Sequence, residues 1–167
     1  KHFKYHRNYM PYLQHYPWLD YMDLLETSKE MRRLGDEGKL SGAHAHFMAP
    51  TKPLEELYDI QADPFELHNL AGSPEYRETL ERMRELHVAW VLETRDLGLI
   101  PEQYLRERAK PTSEYEYGQS AAFPVERVLE TALLMGGRNV DELILRLEDQ
   151  EPAVRFWAAN GLTNLGT

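Results

Sequence analysis

Residues 55–71 read EELYDIQADPFELHNLA, and this stretch decides how the chain folds. Leu57, Tyr58 and Ile60 favour an extended, half-buried segment, because large apolar and aromatic side chains pack well on a pleated surface. The segment must end at Asp63-Pro64, since proline lacks a backbone N–H and restricts the residue before it. The stretch therefore predicts a strand closed by a turn, with Asp63 accepting hydrogen bonds from backbone N–H groups.

A long helix is predicted after this turn. Ser73 is a favoured N-cap residue, Pro74 suits the first helical position, and Gly98 suits the helix end. Apolar and aromatic residues recur between them at spacings of three and four, which places them on one face. That face comprises Tyr76, Leu80, Met83, His87, Trp90, Thr94 and Leu97. We therefore expect the helix to pack through this face, with Trp90 in the core.

The order of these motifs resembles the C-terminal region of the sulfatase family, within the alkaline phosphatase-like superfamily. The residues that carry the resemblance are Leu57-Tyr58-Asp59, Asp63-Pro64-x-Glu66 and Asn69-Leu70-Ala71, followed by the long helix. It covers about residues 1–102, and segments 7–11 and 37–40 are similar to a heparan N-sulfatase-like branch. It implies an α+β fold for residues 1–109, in which a small antiparallel sheet with a long packing helix forms a C-terminal subdomain.

Further elements are predicted upstream of the central stretch. Residues 1–8 alternate in character, with Phe3 and Tyr5 on one side and Lys4 and His6 on the other, which predicts a strand. Since the chain begins with Lys and reads as a strand at once, we expect it to be part of a longer protein. Residues 19–34 predict an amphipathic helix ended by glycines, and residues 41–47 a short second helix. The apolar side of the first helix comprises Leu24, Leu25, Met31 and Leu34.

Composition excludes several classes of function. The 167 residues contain no cysteine, which excludes disulfides, thiolate metal sites and cysteine nucleophiles within them. The net charge of −9, with its acidic excess after residue 53, argues against a nucleic-acid surface. No apolar run approaches the length of a membrane span. Residues 1–53 carry eight Lys/Arg, six Asp/Glu and five of the seven histidines, so they are the part suited to an anionic substrate.

Three residues of this basic, aromatic-rich part are candidates for binding a sulfated substrate: His6, Arg7 and His15. An arginine can hold two sulfate oxygens in a fork, much as it holds phosphate, but Arg7 can equally pair with a nearby carboxylate. The aromatic loop at residues 9–21 has two interpretations, the rim of a substrate pocket or a cover for the edge of the core.

No metal site is predicted from the spacing of ligand residues. His44 and His46 are two positions apart, so they point to different sides of a helix, and no third ligand follows nearby. Asp59, Asp63 and Glu66 lack the spacing and the glycine of a calcium loop.

The sulfatase resemblance implies a nucleophile that these residues lack. In that family a Cys or Ser in a C/S-x-P-x-R pattern becomes formylglycine, and a divalent cation, usually calcium, stabilises the developing charge. The nearest pattern runs from Ser73 to Arg77, with its proline one place early. We therefore expect formylglycine and calcium in an upstream catalytic domain and no catalytic residue here, so this chain alone should be inactive. That domain and a sulfated substrate are the expected partners, and the parent is expected to be periplasmic or secreted.

The last third of the chain predicts a linker and a helical segment. Residues 110–123 are rich in Pro, Ser, Tyr, Glu and Gly, which is typical of a linker. Residues 124–167 contain three helical patterns, and the run from Asp149 to Gly166 resembles a HEAT repeat. Such arrays need about three repeats, so this one would be truncated, and the other interpretation is an ordinary helical hairpin. The side chains predicted to point inward are Leu143, Ile144, Leu147, Val154, Ala158, Leu162 and Leu165.

Two other functions fit the same sequence. The chain could be the tail of a related phosphonate or phosphodiester hydrolase, or a non-catalytic module that binds a protein partner through residues 124–167. A C/S-x-P-x-R motif upstream would favour the sulfatase, and its absence would favour the interaction module.

Overall fold

Helices make up most of the structure, and one small sheet accompanies them. The computed structural model describes residues 2–166, so Lys1, in the predicted first strand, and Thr167, in the predicted helical segment, lie outside the described residues. The combination agrees with the predicted α+β class. The chain divides into two compact units, one that ends at Leu70 and one that begins at Ala71. The domain boundaries predicted at residues 109 and 124 stay a prediction.

The sheet of the first unit pairs two strands that are distant in sequence. β1 (Phe3–Arg7) runs antiparallel to β2 (Glu55–Asp59), with Tyr5 opposite Leu57. Because side chains alternate between the faces of a sheet, one face carries the odd-numbered residues of both strands, including the fully buried Leu57. We call it the odd face. The even face carries Lys4, His6, Glu56 and Tyr58.

A tight turn follows β2, as the sequence predicts. Asp63 Oδ2 accepts hydrogen bonds from the backbone N–H groups of Leu67 and His68, both at 2.7 Å. Asn69 then ties the returning chain to the strand, because its Oδ1 accepts from the Leu57 N–H and its Nδ2 donates to a β2 carbonyl. The prediction that Asp63 closes a turn is confirmed, and the prediction that it binds no metal stays untested.

Two helices lie between the strands in sequence. α1 (Glu26–Asp36) begins later than the predicted residue 19, because Leu25 is extended and the residues before it form a 3-10 helix (Asp20–Leu24). Leu24 was predicted on the apolar side of this helix but is 80% exposed. α2 (Gly42–Phe47) confirms the short second helix.

α3 (Arg77–Thr94) is the predicted long helix, although both its ends differ from the prediction. A 3-10 turn with Pro74 in its first position precedes it, and the Ser73 side chain makes no capping hydrogen bond. The helix ends before Gly98 because Arg95 adopts the left-handed conformation, with φ 52°. The Arg95 guanidinium donates to three backbone carbonyls further along the chain, those of Gly118, Ser120 and Phe123.

The buried face of α3 also differs from the predicted one. Its buried residues are Leu80 and Val91, which are about three helical turns apart. Trp90 is 53% exposed, so its predicted place in the core is wrong for this chain. The neighbouring residue Val91 points inward in place of Trp90. Consecutive residues of a helix are rotated by about 100°, so the two side chains face different directions.

Residues 110–123, predicted as a linker from their composition, contain a helix. α5 (Glu114–Gln119) begins with a capping box, in which Ser113 and Glu116 each accept a hydrogen bond from the other's backbone N–H. Tyr117 and Phe123 are buried, and α5 packs next to α4 (Glu102–Ala109). The segment therefore contains a helix and buried side chains, and its role as a linker stays a prediction.

Three helices complete the second unit: α6 (Val125–Leu133), α7 (Val140–Arg146) and α8 (Pro152–Leu165). α8 packs against both α6 and α7, and Pro152 opens it as predicted. None of the helices in the described part of the chain combines the length and the apolar character that crossing a bilayer needs.

The inward residues of these helices were predicted in part. Leu143, Val154 and Ala158 are completely buried, whereas the predicted inward residues Ile144 and Leu165 are exposed. Ile144 follows the completely buried Leu143 in the seven-residue α7, and Leu165 is the last residue of α8. The HEAT-like identity of this segment stays a prediction.

Candidate functional site

The even face of the sheet forms the floor of a polar cavity in the first unit. Its volume is about 240 Å³, and we call it the even-face cavity. A second cavity, of about 690 Å³, shares His46, Phe47 and Glu66 with it and extends along α2 and the turn after β2. The polar side chains that line the even-face cavity include His6, His15, His46, Glu56, Tyr58 and Glu66.

Glu56 is the buried carboxylate of this cavity. Asn8 Nδ2 donates to Glu56 Oε1 at 2.6 Å, and the Tyr58 hydroxyl donates to Oε2. Burial by itself would raise the pKa of Glu56, but the hydrogen bonds from Tyr58 and Asn8 outweigh burial and the pKa lies below its usual value. Glu56 is therefore ionised at neutral pH. Burial and the bond to Glu56 raise the pKa of Tyr58, so the phenol keeps its proton.

His15 and His46 lie beside this carboxylate. Their ring centroids are 5.2 Å apart, and the ligand atoms of His15, His46 and Glu56 all lie within 4.8 Å of one another. His15 Nε2 is buried and has no hydrogen-bond partner. Burial lowers the pKa of His15, and nearby Glu56 opposes the shift without cancelling it. The His15 imidazole is therefore neutral at neutral pH.

His6 occupies the other end of the cavity. Its Nε2 lies 3.4 Å from Glu66 Oε2, and its ring meets the edge of Tyr58 at a centroid distance of 6.2 Å. Lys4 Nζ donates to both oxygens of Glu66, at 2.7 and 2.9 Å. The bond from Lys4 lowers the pKa of Glu66. At this end of the cavity, the Glu66 carboxylate therefore lies beside two side chains that can carry a positive charge, Lys4 and His6.

Arg7 does not line the even-face cavity. It belongs to the odd face, where its Nη1 lies 3.7 Å from Glu55 Oε1 and its side chain is 9% exposed. The Tyr5 hydroxyl donates to the same Glu55 oxygen at 2.6 Å. Of the three residues predicted to bind substrate, the structure brings together His6 and His15 and places Arg7 on the opposite face. Substrate binding by these three residues stays a prediction.

Most residues of this cavity were not predicted from the sequence, and Glu56 and His46 are the two of them that lie beside His15. Glu56 could have been found from strand alternation, which places it beside Tyr58 and across from His6. His46 was considered only with His44 and its neighbours in sequence, whereas the fold brings it to His15 and Glu56. His44 lines the larger cavity instead.

The chemistry of the even-face cavity suits binding. Its carboxylates and imidazoles can accept hydrogen bonds from hydroxyl groups or coordinate a cation. No serine, threonine or cysteine is among the lining residues that the structure describes, so the cavity contains no such nucleophile.

Comparison with known proteins relates part of the chain to one enzyme class. An ulvan-active sulfatase of Formosa agariphila is 41% identical over 105 residues, which are 63% of this chain and 18% of that protein. This stretch is related to the sulfatases. A second ulvan-active sulfatase of the same organism is 46% identical over 50 residues, 30% of this chain and 9% of that protein. The matched part thus spans less than a fifth of each of these curated relatives.

No family model matches the chain, and no solved structure matches it. The sulfatase relationship inferred from the order of motifs is confirmed for the matched part of the chain. The heparan N-sulfatase-like branch stays a prediction.

Proposed function

We propose that this chain is the C-terminal part of a sulfatase that hydrolyses sulfate esters or sulfamates. The observation that carries the proposal is the 41% identity over 105 residues with an ulvan-active sulfatase. Because that relative is named for its activity on ulvan, ulvan is the first substrate to test. The nucleophile and the calcium belong to an upstream catalytic domain, and this chain contributes structure and substrate contacts.

The first role is to complete the sheet of the parent enzyme. An isolated two-stranded sheet is marginally stable in water, and a strand with one neighbour offers its other edge for pairing. Within residues 2–166 each strand has only the other as its partner. Pairing with strands of the catalytic domain would satisfy such an edge and fix the orientation of the even face.

The second role is to wall one side of the substrate pocket. His6 and His15 line one cavity, together with the carboxylates of Glu56 and Glu66. Carboxylates repel a bare sulfate but accept hydrogen bonds from sugar hydroxyls, so contacts here suit the hydroxyl-bearing part of a sulfated sugar. The sulfate itself would face the catalytic domain.

An activity assay tests the division of labour. Purified chain and the longer parent are each incubated with calcium and an aryl sulfate, a sulfamate, ulvan or a phosphodiester. We expect the parent to release sulfate and the chain alone to release nothing, because hydrolysis needs an activated nucleophile and charge stabilisation in one geometry. Turnover by the isolated chain that survives repurification would overturn the proposal. Preferential phosphodiester cleavage by the parent would reassign it to the related hydrolases.

Kinetics of parent variants test the substrate contacts. His6→Ala and His15→Ala should raise KM with kcat unchanged, the pattern of lost uniform binding. Arg33→Ala, which removes an exposed charge from α1, is the control. Arg7→Ala separates two roles for the odd face: a raised KM assigns Arg7 to binding, and unchanged kinetics with lower stability assign it to the scaffold. Unchanged KM in both histidine variants would remove the cavity from the substrate pocket.

A further inference from the structure

We propose that His15, His46 and Glu56 form a binding site for one zinc ion. Each offers one ligand atom, and these atoms all lie within 4.8 Å of one another. Imidazole nitrogen and carboxylate oxygen are ligands that zinc takes in proteins, and two histidines with one glutamate form a known zinc ligand set. The inference concerns only residues of this chain, so it does not depend on the proposed function.

The glutamate is held as a ligating carboxylate should be. Ligating carboxylates are themselves hydrogen-bonded by an outer layer of residues, which orients them toward the metal. Asn8 Nδ2 donates to one oxygen of Glu56 and the Tyr58 hydroxyl to the other. Asn8 is fixed in turn, because its Nδ2 also donates to the Pro53 carbonyl at 2.6 Å. The carboxylate oxygens keep further lone pairs for a cation.

The burial of Glu56 calls for a positive partner. A buried charge is expensive unless it is paired or coordinates a metal. The ionisable groups that stabilise its negative charge at a distance are His15 and His6. Histidine coordinates a metal in its neutral form, in which it supplies no countercharge. A divalent cation between His15 and Glu56 would supply a positive partner.

The unpaired nitrogen of His15 points to the same conclusion. Buried polar atoms almost always have a hydrogen-bond partner, and one left without a partner costs free energy. His15 Nε2 is buried without one, and the His15 ring lies 5.2 Å from the His46 ring, centroid to centroid, with Glu56 in the same cluster. Coordination would give this nitrogen a partner.

The ligand set favours zinc over calcium. Calcium takes six to eight oxygen ligands, whereas imidazole suits zinc and other late transition metals. Three protein ligands leave one position of a tetrahedral zinc site for water or a substrate group. The surrounding cavity, of about 240 Å³, has room for such a group. The site would therefore differ in place and chemistry from the calcium expected in a catalytic domain.

Calorimetric titration of the 167-residue chain with zinc chloride, after treatment with EDTA and its removal, tests the proposal. We expect one zinc per chain, a rise in melting temperature with zinc, and the visible absorption of a nitrogen- and oxygen-ligated ion when cobalt replaces zinc. His15→Ala and His46→Ala should each weaken zinc binding by at least about 100-fold, since each loses a ligand, and Asn8→Ala by about 10-fold to 100-fold. Calcium should compete poorly.

The matched control is His44→Ala, which removes a neighbouring histidine of the same helix and should leave zinc affinity unchanged. Glu56 is buried, so its substitution also perturbs folding, whereas His46 is exposed and its variant decides the question. Absence of zinc binding by the folded chain would overturn the proposal. So would a His46→Ala variant that binds like the wild type, an equal loss in His44→Ala, or tighter binding of calcium than of zinc.

Discussion

Arg95 ends α3 without the help of a glycine. Its φ of 52° lies in the left-handed region, which costs a non-glycine residue about 1 kcal/mol or more. The guanidinium offsets this cost through hydrogen bonds of 2.6–2.7 Å to the carbonyls of Gly118, Ser120 and Phe123. It also lies over the Phe123 ring, 5.7 Å from its centroid. One side chain thus satisfies three carbonyls of the segment that precedes α6.

Substitution of Arg95 separates the cost of its left-handed backbone conformation from the contribution of its side-chain hydrogen bonds. Arg95→Ala should lower the free energy of unfolding by about 2–4 kcal/mol, because three carbonyls lose a charged donor. Arg95→Gly loses the same bonds but adopts the left-handed conformation freely, so it should be about 1 kcal/mol more stable than Arg95→Ala. Urea unfolding followed by circular dichroism gives both values. Wild-type stability of Arg95→Ala would contradict the role of the hydrogen bonds.

The lowered pKa of His15 predicts a pH dependence of stability. Above its ordinary pKa of 6.5 the imidazole is neutral in both folded and unfolded chains, and its contribution is complete. As the pH falls from there through the lowered folded pKa, the unfolded chain binds more protons and this stability is lost. His15→Gln should therefore lose less unfolding free energy than the wild type between about pH 7 and pH 5. The measurement is made with EDTA and with His44→Gln as the control, and equal losses in all three proteins would contradict it.

Contact between α7 and α8 depends on Gly161. A methyl group at this position would lie 2.7 Å from Leu143 Cδ2, and Leu143 is completely buried. Gly161→Ala should therefore destabilise the second unit by about 1–3 kcal/mol, even though alanine is the better helix former. Gly72→Ala is the matched control, because nothing lies within 4 Å of the added carbon. A melting temperature of Gly161→Ala at or above that of the control would show that the helices can separate freely.

Two tryptophans of the second unit should respond differently to truncation. Trp157 in α8 is 5% exposed, and its Nε1 donates to the Leu99 carbonyl at 2.7 Å. Trp157→Ala should cost about 3–5 kcal/mol, the usual effect of removing a core aromatic side chain. Trp90→Ala should change stability by less than about 1 kcal/mol, because its side chain is half exposed. Equal denaturation midpoints for the two variants would contradict this assignment of the core.

The elements that sequence could predict are those fixed by local chemistry. The strand at Leu57 and the turn at Asp63 depend on residues within a few positions. Pro152 suits the start of a helix whatever that helix packs against. The end of α3 could not be predicted, because the partners of Arg95 lie more than twenty positions downstream. The exposed side of α3 was misassigned because Trp90 and Val91 both suit a core, and only packing chooses between them.

The core is distributed unequally along the chain. Among described residues up to Leu70, the buried apolar side chains are Pro11, Leu57 and Tyr58, while most of the buried apolar residues belong to the second unit. Several large apolar side chains of the first unit are exposed, including Trp18 and Phe65. Burial of apolar surface is the main stabilising term of folding, so we expect the first unit to be less stable than the second.

Hydrogen exchange of the full chain tests this inequality. In increasing concentrations of urea, peptides from residues 26–59 should lose protection before peptides from residues 125–165. Zinc is omitted, since binding would stabilise the first unit. Simultaneous loss of protection in both regions would show that the chain unfolds as one cooperative unit.

The candidate site could be found only in part from sequence. His6 and His15 stand out because their surroundings are basic and aromatic. Glu56 and His46 do not, because their proximity to His15 is created by the path of the chain between β1 and β2. The placement of His6 and Arg7 on opposite faces was implicit in the alternation of the strand, which the grouping by charge ignored.

The fixed register of β1 and β2 assigns each of their residues to one face of the sheet and to one partner on the other strand. A slip of one residue would exchange the two faces, bringing Arg7 over the cavity floor and carrying His6 away. The bonds of Tyr5 to Glu55 and of Asn8 to Pro53 oppose such a slip. Substitutions at even-numbered positions of the two strands should therefore change what the cavity binds, whereas Tyr5, Glu55 and Asn8 hold the register, and Asn8 also lines the cavity.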